Sequence, residues 1–261
     1  MIHRPGADDP RLESYRHVGD SSWLVRRELF VAEGRLVVER LLASGEYHLE
    51  SILLTPAALT ALGPSLAVAP CDVYVCEAGV LEGVMGFNFH RGCLALGRRP
   101  PARPASELLT ARRLVALEAI GNPDNIGGVF RAAAALGAGG VVLDPATGDP
   151  LYRKAIRTSM GATLRLPWVR LDAWPDDVEA FRTSEFTLVA LTPDPSAMTL
   201  SAFAGQHGAA DRLMLMLGAE GPGLSPRALA LADARVRIPV DPAVDSLNVV
   251  VAAAIALDRL R

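Results

Sequence analysis

The chain has 261 residues, half of them hydrophobic and 21% charged, with a formal net charge of −3 at pH 7. That length is long for one compact domain and comfortable for two, and the apolar content excludes a disordered chain. The polar start, MIHRPGADDP, and a longest aliphatic run of only 249–257 argue against a signal peptide and a membrane span. A soluble cytoplasmic protein is expected. The negative balance does not advertise a nucleic-acid binder, although binding needs only a local basic patch. Every cation but Lys154 is arginine, which suits bidentate phosphate contacts.

In chain order, a short strand is expected at 29–32. A helix over 33–43 follows, with Leu36, Val37, Arg40, Leu41 and Leu42 at helical spacing. A strand at 51–54, a Pro-initiated helix at 56–62 and strands at 72–76 and 92–96 complete a small α/β domain over 1–97. Residues 98–113, RRPPARPASELLTARR, read as an exposed linker. Over 114–261, apolar strands at 114–120, 140–143, 186–191, 213–217 and 236–240 alternate with helices at 126–136, 151–158, 226–231 and 247–260. Such an alternation implies a parallel sheet covered on both faces.

Cys71, Cys76 and Cys93 form no metal-ligand spacing and read as small buried hydrophobes in a reducing compartment. His3, His17, His48, His90 and His207 are scattered and read as surface or packing residues, and no metal ligand set emerges. Ala138-Gly139-Gly140 precedes a strand, so it reads as a helix-terminating cluster and not as a nucleotide-binding turn.

Three loops carry the chemistry. After the strand LVALEAI comes Asn122-Pro123-Asp124-Asn125-Ile126-Gly127-Gly128-Val129-Phe130-Arg131, with Asn125 as the natural helix cap. The apolar residues 132–136 suggest a helix buried on most sides, in which Arg131 would need an anion or carboxylate beside it. After LMLML comes Gly218-Ala219-Glu220-Gly221-Pro222-Gly223, whose glycines let backbone groups approach a ligand, followed by Ser225 as cap and Pro226 at the first helical position. After Ile238-Pro239-Val240, the run Asp245-Ser246-Leu247-Asn248 enters the last helix, which is expected to begin near Ser246 and places Ser and Asn at a helix N-terminus. Each loop alone is weak, because capped helices and glycine turns are common. Loops that follow strands of one parallel sheet cluster at its carboxyl edge, where ligands bind.

Together, Asn125-x-Gly127-x-x-x-Arg131, Arg157-x-Ser159-x-Gly161, Gly218-Ala219-Glu220-Gly221-x-Gly223 and Ser246-Leu247-Asn248 resemble the motif set of the SpoU–TrmH methyltransferases over residues 112–261. Phe30-Val31-Ala32-Glu33-Gly34 and the helix after it resemble, more loosely, the ribosomal-protein-like substrate-binding domain that precedes many such catalytic domains. The resemblance implies an α/β catalytic domain with a trefoil knot, a homodimer, and methyl transfer from S-adenosylmethionine to a ribose 2′-hydroxyl of rRNA or tRNA. It implies that Gly218, Ile238 and Leu247 hold the cofactor, with Thr192 and Gly221 as further candidates. It also implies that Asn125, Arg131, Glu220, Ser246 and Asn248 surround the reacting hydroxyl. Two other readings stand beside it, a non-catalytic RNA-binding protein on this fold and a base-nitrogen methyltransferase of the same superfamily. The Asn125, Arg131 and Ser246-Leu247-Asn248 set points to the ribose branch. The first hundred residues hold none of these motifs, so the amino-terminal domain is expected to be a targeting module.

Overall fold

The computed structural model describes residues 1–67, 69–86, 91–207, 212–241, 243–244 and 246–260. His90 and Asp245 lie outside them, as does the side chain of His207. The chain begins with β1 (Ile2–His3), α1 (Glu13–Arg16), α2 (Ser21–Arg26), β2 (Leu29–Glu33) and α3 (Arg35–Ser44). Next come β3 (Leu49–Leu54), α4 (Pro56–Leu66), β4 (Asp72–Val75), α5 (Ala78–Met85) and β5 (Cys93–Arg98). The middle holds β6 (Arg113–Glu118), α6 (Pro123–Ala135), β7 (Gly140–Leu143), α7 (Arg153–Thr158), β8 (Trp168–Arg170), α8 (Glu179–Thr183) and β9 (Thr187–Leu191). The last part holds β10 (Met198–Thr199), α9 (Leu200–His207), β11 (Leu213–Gly218), α10 (Pro226–Leu231), β12 (Ala234–Arg237) and α11 (Val249–Arg259).

The chain forms two compact units, Met1–Pro101 with Leu151–Leu164, and Ala102–Pro150 with Arg165–Arg261. The first contains a five-stranded mixed sheet in the order β1-β4-β3-β5-β2, in which β5 runs antiparallel to both of its neighbours. Gly34 (φ +99°) turns the chain between β2 and α3, and its N–H donates to the Cys93 carbonyl. The Thr55 hydroxyl accepts from the Ala58 N–H and Pro56 occupies the first turn, so α4 starts where the sequence sets it. Tyr15, fully buried, shares a 2.7 Å hydrogen bond with Ser51 across the core. Cys76 and Cys93 are buried as expected, and burial pushes the Cys93 thiol up to about 12.

The segment Leu151–Leu164, which lies in sequence between strands of the second unit, packs with the first. Ala155, Ile156 and Leu164 are buried there, Gly161 sits against Val37, and the Arg40 guanidinium donates to the Met160 carbonyl.

The second unit is a parallel seven-stranded sheet in the order β10-β12-β9-β11-β6-β7-β8. Apart from Arg113 and Glu118 at the two ends of β6, its central strands are apolar, and they are almost wholly buried, as a sheet covered on both faces requires. Strand β12 ends at Arg237, earlier than expected, so Ile238 already belongs to the following loop.

Three local expectations need correction. Residues 98–113 are not all linker. Arg98 ends β5, Arg113 opens β6, Leu108 is buried in the second unit, and 101–104 are exposed. Helix α6 is terminated by Gly137 (φ +80°), with the Ala138 N–H reaching back to Ala133. Gly139 and Gly140 serve close packing instead, since a Cβ at either would sit 2.7 Å from Ala111 Cβ or 2.5 Å from Leu108 Cδ2. Finally, Asn122 caps α6 through the Asp124 N–H with Pro123 in the first turn, so Asn125 lies inside the helix, buried.

Candidate active site

Four neighbouring strands, β12, β9, β11 and β6, end at one sheet edge, and each delivers a candidate residue or loop there: Ile238, Thr192, Gly218 and the turn to α6. Gly218 has no room for a side chain. A Cβ would stand 2.1 Å from the Gly223 carbonyl carbon and 2.2 Å from the Leu224 nitrogen. The loop folds back on it through the Gly223 N–H to Ala219 carbonyl bond of 2.9 Å, with Gly221 (φ +88°) and Gly223 (φ +70°) in the left-handed region. Peptide groups, not side chains, therefore line this turn.

Glu118, at the end of β6 and paired in register with Gly218, anchors the loop from beneath. It is 7% exposed, and its two oxygens accept from the Ser225 N–H (2.8 Å) and the Trp174 indole N–H (2.7 Å). Each oxygen meets a neutral donor, which compensates burial of the carboxylate. Sequence reading passed over this residue. Its signal was a single acid inside the otherwise apolar run LVALEAI.

Behind the turn to α6, Asp144 Oδ1 accepts from the Ala119 (φ +57°) and Thr147 amides, and Thr147 Oγ1 accepts from the Ile120 amide. Arg170 donates to the carbonyls of Asp144, Thr147 and Gly148, and its burial lowers its pKa below the ordinary value. These contacts brace the entry to α6.

The three motifs converge on Asn248. This residue caps α11, its Oδ1 accepting from the Val250 N–H at 2.9 Å. Its Nδ2 donates to Asn125 Oδ1 (3.1 Å) and to Glu220 Oε1 (2.8 Å). The last helix thus begins at Val249, later than Ser246, and the Asn248 side chain is shared between its own helix end and the other two loops. Close approach of α6 and α11 allows this, because a Cβ on Gly128 would be 2.6 Å from Val250 Cγ2. Gly128 is a second residue whose role sequence reading missed, and its neighbour Gly127 was the motif position singled out.

Arg131 overturns its expectation. It is exposed, and it makes no hydrogen bond or ion pair with any described residue. Helix α6 buries Ile126, Val129, Phe130 and Ala133 on one face, and leaves Arg131, Ala134 and Ala135 on the other. A helix packed on one side needs no counter-ion for an arginine on its open side. Arg131 also does not meet Glu220, which reaches Asn248 instead. Ser246 is exposed, Leu247, Ile238 and Thr192 are partly exposed, and the Thr192 hydroxyl accepts from the Asp194 N–H.

Among the described residues no group of three or more His, Cys, Asp or Glu could hold a metal ion, and no helix is long and apolar enough to cross a membrane.

Comparison with known proteins bears on most of the chain, the site included. Over 259 residues the chain is 40% identical to the uncharacterised tRNA/rRNA methyltransferase of Mycobacterium bovis, covering 95% of this chain and 88% of that protein. It is 34% identical over 203 residues to the 23S rRNA (adenosine(1067)-2′-O)-methyltransferase of Streptomyces laurentii, 75% and 73% of the two chains. In fold it is similar to the AdoMet-bound rRNA methyltransferase of Sinorhizobium meliloti, with a TM-score of 0.81 at 20% identity over 100% and 97% of the chains. The profile that residues 112–258 match spans all three converging loops, and by it the chain belongs to the SpoU rRNA methylase family.

Proposed function

We propose that the protein transfers a methyl group from S-adenosylmethionine to a ribose 2′-hydroxyl of structured RNA, ribosomal or transfer. The observation that carries the reading is the single Asn248 amide joining Asn125 and Glu220, which draws all three loops to one point of the carboxyl edge. The nature of the Streptomyces laurentii relative supports ribose over base.

The residues suit such a cofactor. Gly218 and Gly221 offer peptide groups unobstructed by side chains, while Ile238, Leu247 and Thr192 offer partly exposed apolar and hydroxyl surface for a nucleoside. When bound, the cofactor supplies an electrophilic methyl on sulfur. The ribose hydroxyl is a weak acid, so the protein must hold it in line and stabilise negative charge on its oxygen. Arg131, exposed and uncommitted to any described residue, is suited to hold the neighbouring phosphate and stabilise the incipient alkoxide. A guanidinium keeps its proton and so does not serve as the base. Glu220 orients Asn248, and Asn248 and Ser246 position the nucleotide.

Val251 and Ile255 are 47% and 40% exposed on α11, a face suited to a second copy of the chain in a homodimer. Three unpaired thiols and an RNA substrate fit the cytoplasm.

Mapping 2′-O-methyl sites in RNA from cells with and without the protein tests the reading. One ribose site should lose its methyl group. Loss of a base methyl instead would move the protein to the base-nitrogen branch, and no lost methyl in any RNA would favour a non-catalytic binder.

A further inference from the structure

Ala119 lies between the end of β6 and the Asn122 cap of α6, and its φ is +57°. That left-handed conformation strains a residue with a Cβ, and such strain persists only where surrounding contacts hold it. Here the holding contacts come from residues 144–148, the loop after β7. Asp144 Oδ1 accepts from the Ala119 N–H (3.0 Å) and from the Thr147 N–H (2.6 Å). Thr147 Oγ1 accepts from the Ile120 N–H (3.2 Å), and the Gly148 N–H donates to the Ile120 carbonyl (3.0 Å). Asp144 and Thr147 are 5% and 3% exposed, so water competes little for these bonds.

The loop is in turn clamped from the edge strand. The Arg170 guanidinium, at the end of β8, donates to the carbonyls of Asp144 (2.6 Å), Thr147 (2.6 Å) and Gly148 (3.0 Å). The same loop lies against α6 itself, since a Cβ on Gly148 would stand 2.8 Å from Ile126 Cδ1 and 3.3 Å from the Gly121 carbonyl oxygen. A chain of contacts thus runs from Arg170 through residues 144–148 and the Ala119–Ile120 turn into α6. Asn125 on that helix is buried and has a second hold in Asn248. Arg131 is exposed, so the course of the helix backbone places it.

We propose that Asp144 is a positioning residue for Arg131. It holds Ala119 in the left-handed conformation from which α6 leaves the sheet, and so sets where the guanidinium stands. Contacts made in a transition state need placement to within about 0.5 Å, so a turn that relaxes to an ordinary φ is felt in the rate. The proposal rests on the reading that Arg131 stabilises the reacting oxygen.

The test uses the full-length protein with total RNA from cells lacking it and radiolabelled S-adenosylmethionine at saturation, well below the melting temperature. Asp144→Ala should lower turnover about tenfold with cofactor affinity by calorimetry nearly unchanged. Asp144→Asn, which keeps the Oδ1 acceptor, should stay within about threefold of wild type. Adding Ala119→Gly to Asp144→Ala should recover severalfold, because glycine holds a positive φ without strain and Ala119 is exposed. In an Arg131→Ala background, Asp144→Ala should cost less than about threefold, as groups acting through one another are not additive. If Asp144→Ala does not fold, Thr147→Val keeps the side-chain shape, removes the Ile120 acceptor and reads the same dependence on Arg131. Wild-type turnover in Asp144→Ala, a full loss on top of Arg131→Ala, or no recovery with Ala119→Gly would overturn the proposal and leave the methyltransferase reading intact. A merely structural Asp144 would lower the melting temperature and leave turnover of the folded enzyme unchanged. If the wild-type protein methylated none of that RNA, the functional reading would fall and the proposal with it.

Discussion

Gly128→Ala tests how the catalytic loops are held together. The added methyl would meet Val250 at 2.6 Å (Cγ2) and 2.9 Å (Cγ1), closer than carbon atoms approach. Alanine in a helix interior gains about 1 kcal/mol over glycine. Overpacking at a tight contact costs about 1–3 kcal/mol. The contact is the side of a β-branched residue held on a helix, which has essentially one rotamer available and cannot swing clear. The clash should therefore win, with a net loss of up to about 2 kcal/mol, which corresponds to a fall of up to roughly 4–8 °C in melting temperature for a chain of this size. Val250→Ala removes both γ carbons, and at a partly buried position should cost about 1 kcal/mol by itself. In the double variant the new methyl fills the vacated space, so the two changes should couple by about 1 kcal/mol or more. Urea unfolding of the four proteins measures this cycle. Calorimetric titration of S-adenosylmethionine reads the site consequence, because α6 and α11 carry Asn125 and Asn248, whose 3.1 Å bond the single variant should disturb. A Gly128→Ala protein stabilised by about 1 kcal/mol and additive with Val250→Ala would refute the close-approach argument, since propensity alone would then be at work.

The other predictions follow from the same geometry. Gly218→Val should abolish S-adenosylmethionine binding, because its Cβ would occupy the Gly223–Leu224 peptide; a normal calorimetric isotherm would remove this turn from the site. Arg131→Ala should lower turnover by about a hundredfold or more with cofactor affinity nearly unchanged, and Arg131→Lys should recover little, a point charge being unable to reproduce the guanidinium fork. An active Arg131→Ala enzyme would overturn its role. A chain beginning at Ala102 should melt lower and bind apolar dyes, because it strands Ala155, Ile156 and Leu164, which are buried in the first unit; wild-type stability of that truncated chain would show the segment to be self-sufficient.

Much of the fold was legible because its signals are local. Apolar runs such as LMLML became β11, and Ser225-Pro226 opened α10 at the expected residue, the cap and the missing proline N–H acting within one turn. The three catalytic loops were legible for the same reason, each being a short run after a strand. Even the cap of α6 was there to be read: Pro123 belongs in a first turn, which makes Asn122 the cap and sends Asn125 inside, where its side chain faces another loop.

What the tertiary structure alone decided lies in contacts between residues far apart in the chain. Asn248 and Asn125 are 123 residues apart and Glu118 and the Ser225 amide 107, and no window of sequence carries a term for either pair. Gly128 carries no mark of its role in sequence, and only the packing of α11 shows that it is held against Val250. Arg131 reads as buried when its apolar neighbours are counted along the chain, yet α6 is covered on one face only, and which face is covered depends on where the sheet and α11 lie. Residues 151–164 show the limit most plainly. Their helical pattern announces a buried face, but periodicity says nothing about whose core receives it, and here the arginines of that segment gather at Glu33, 124 residues from Arg157.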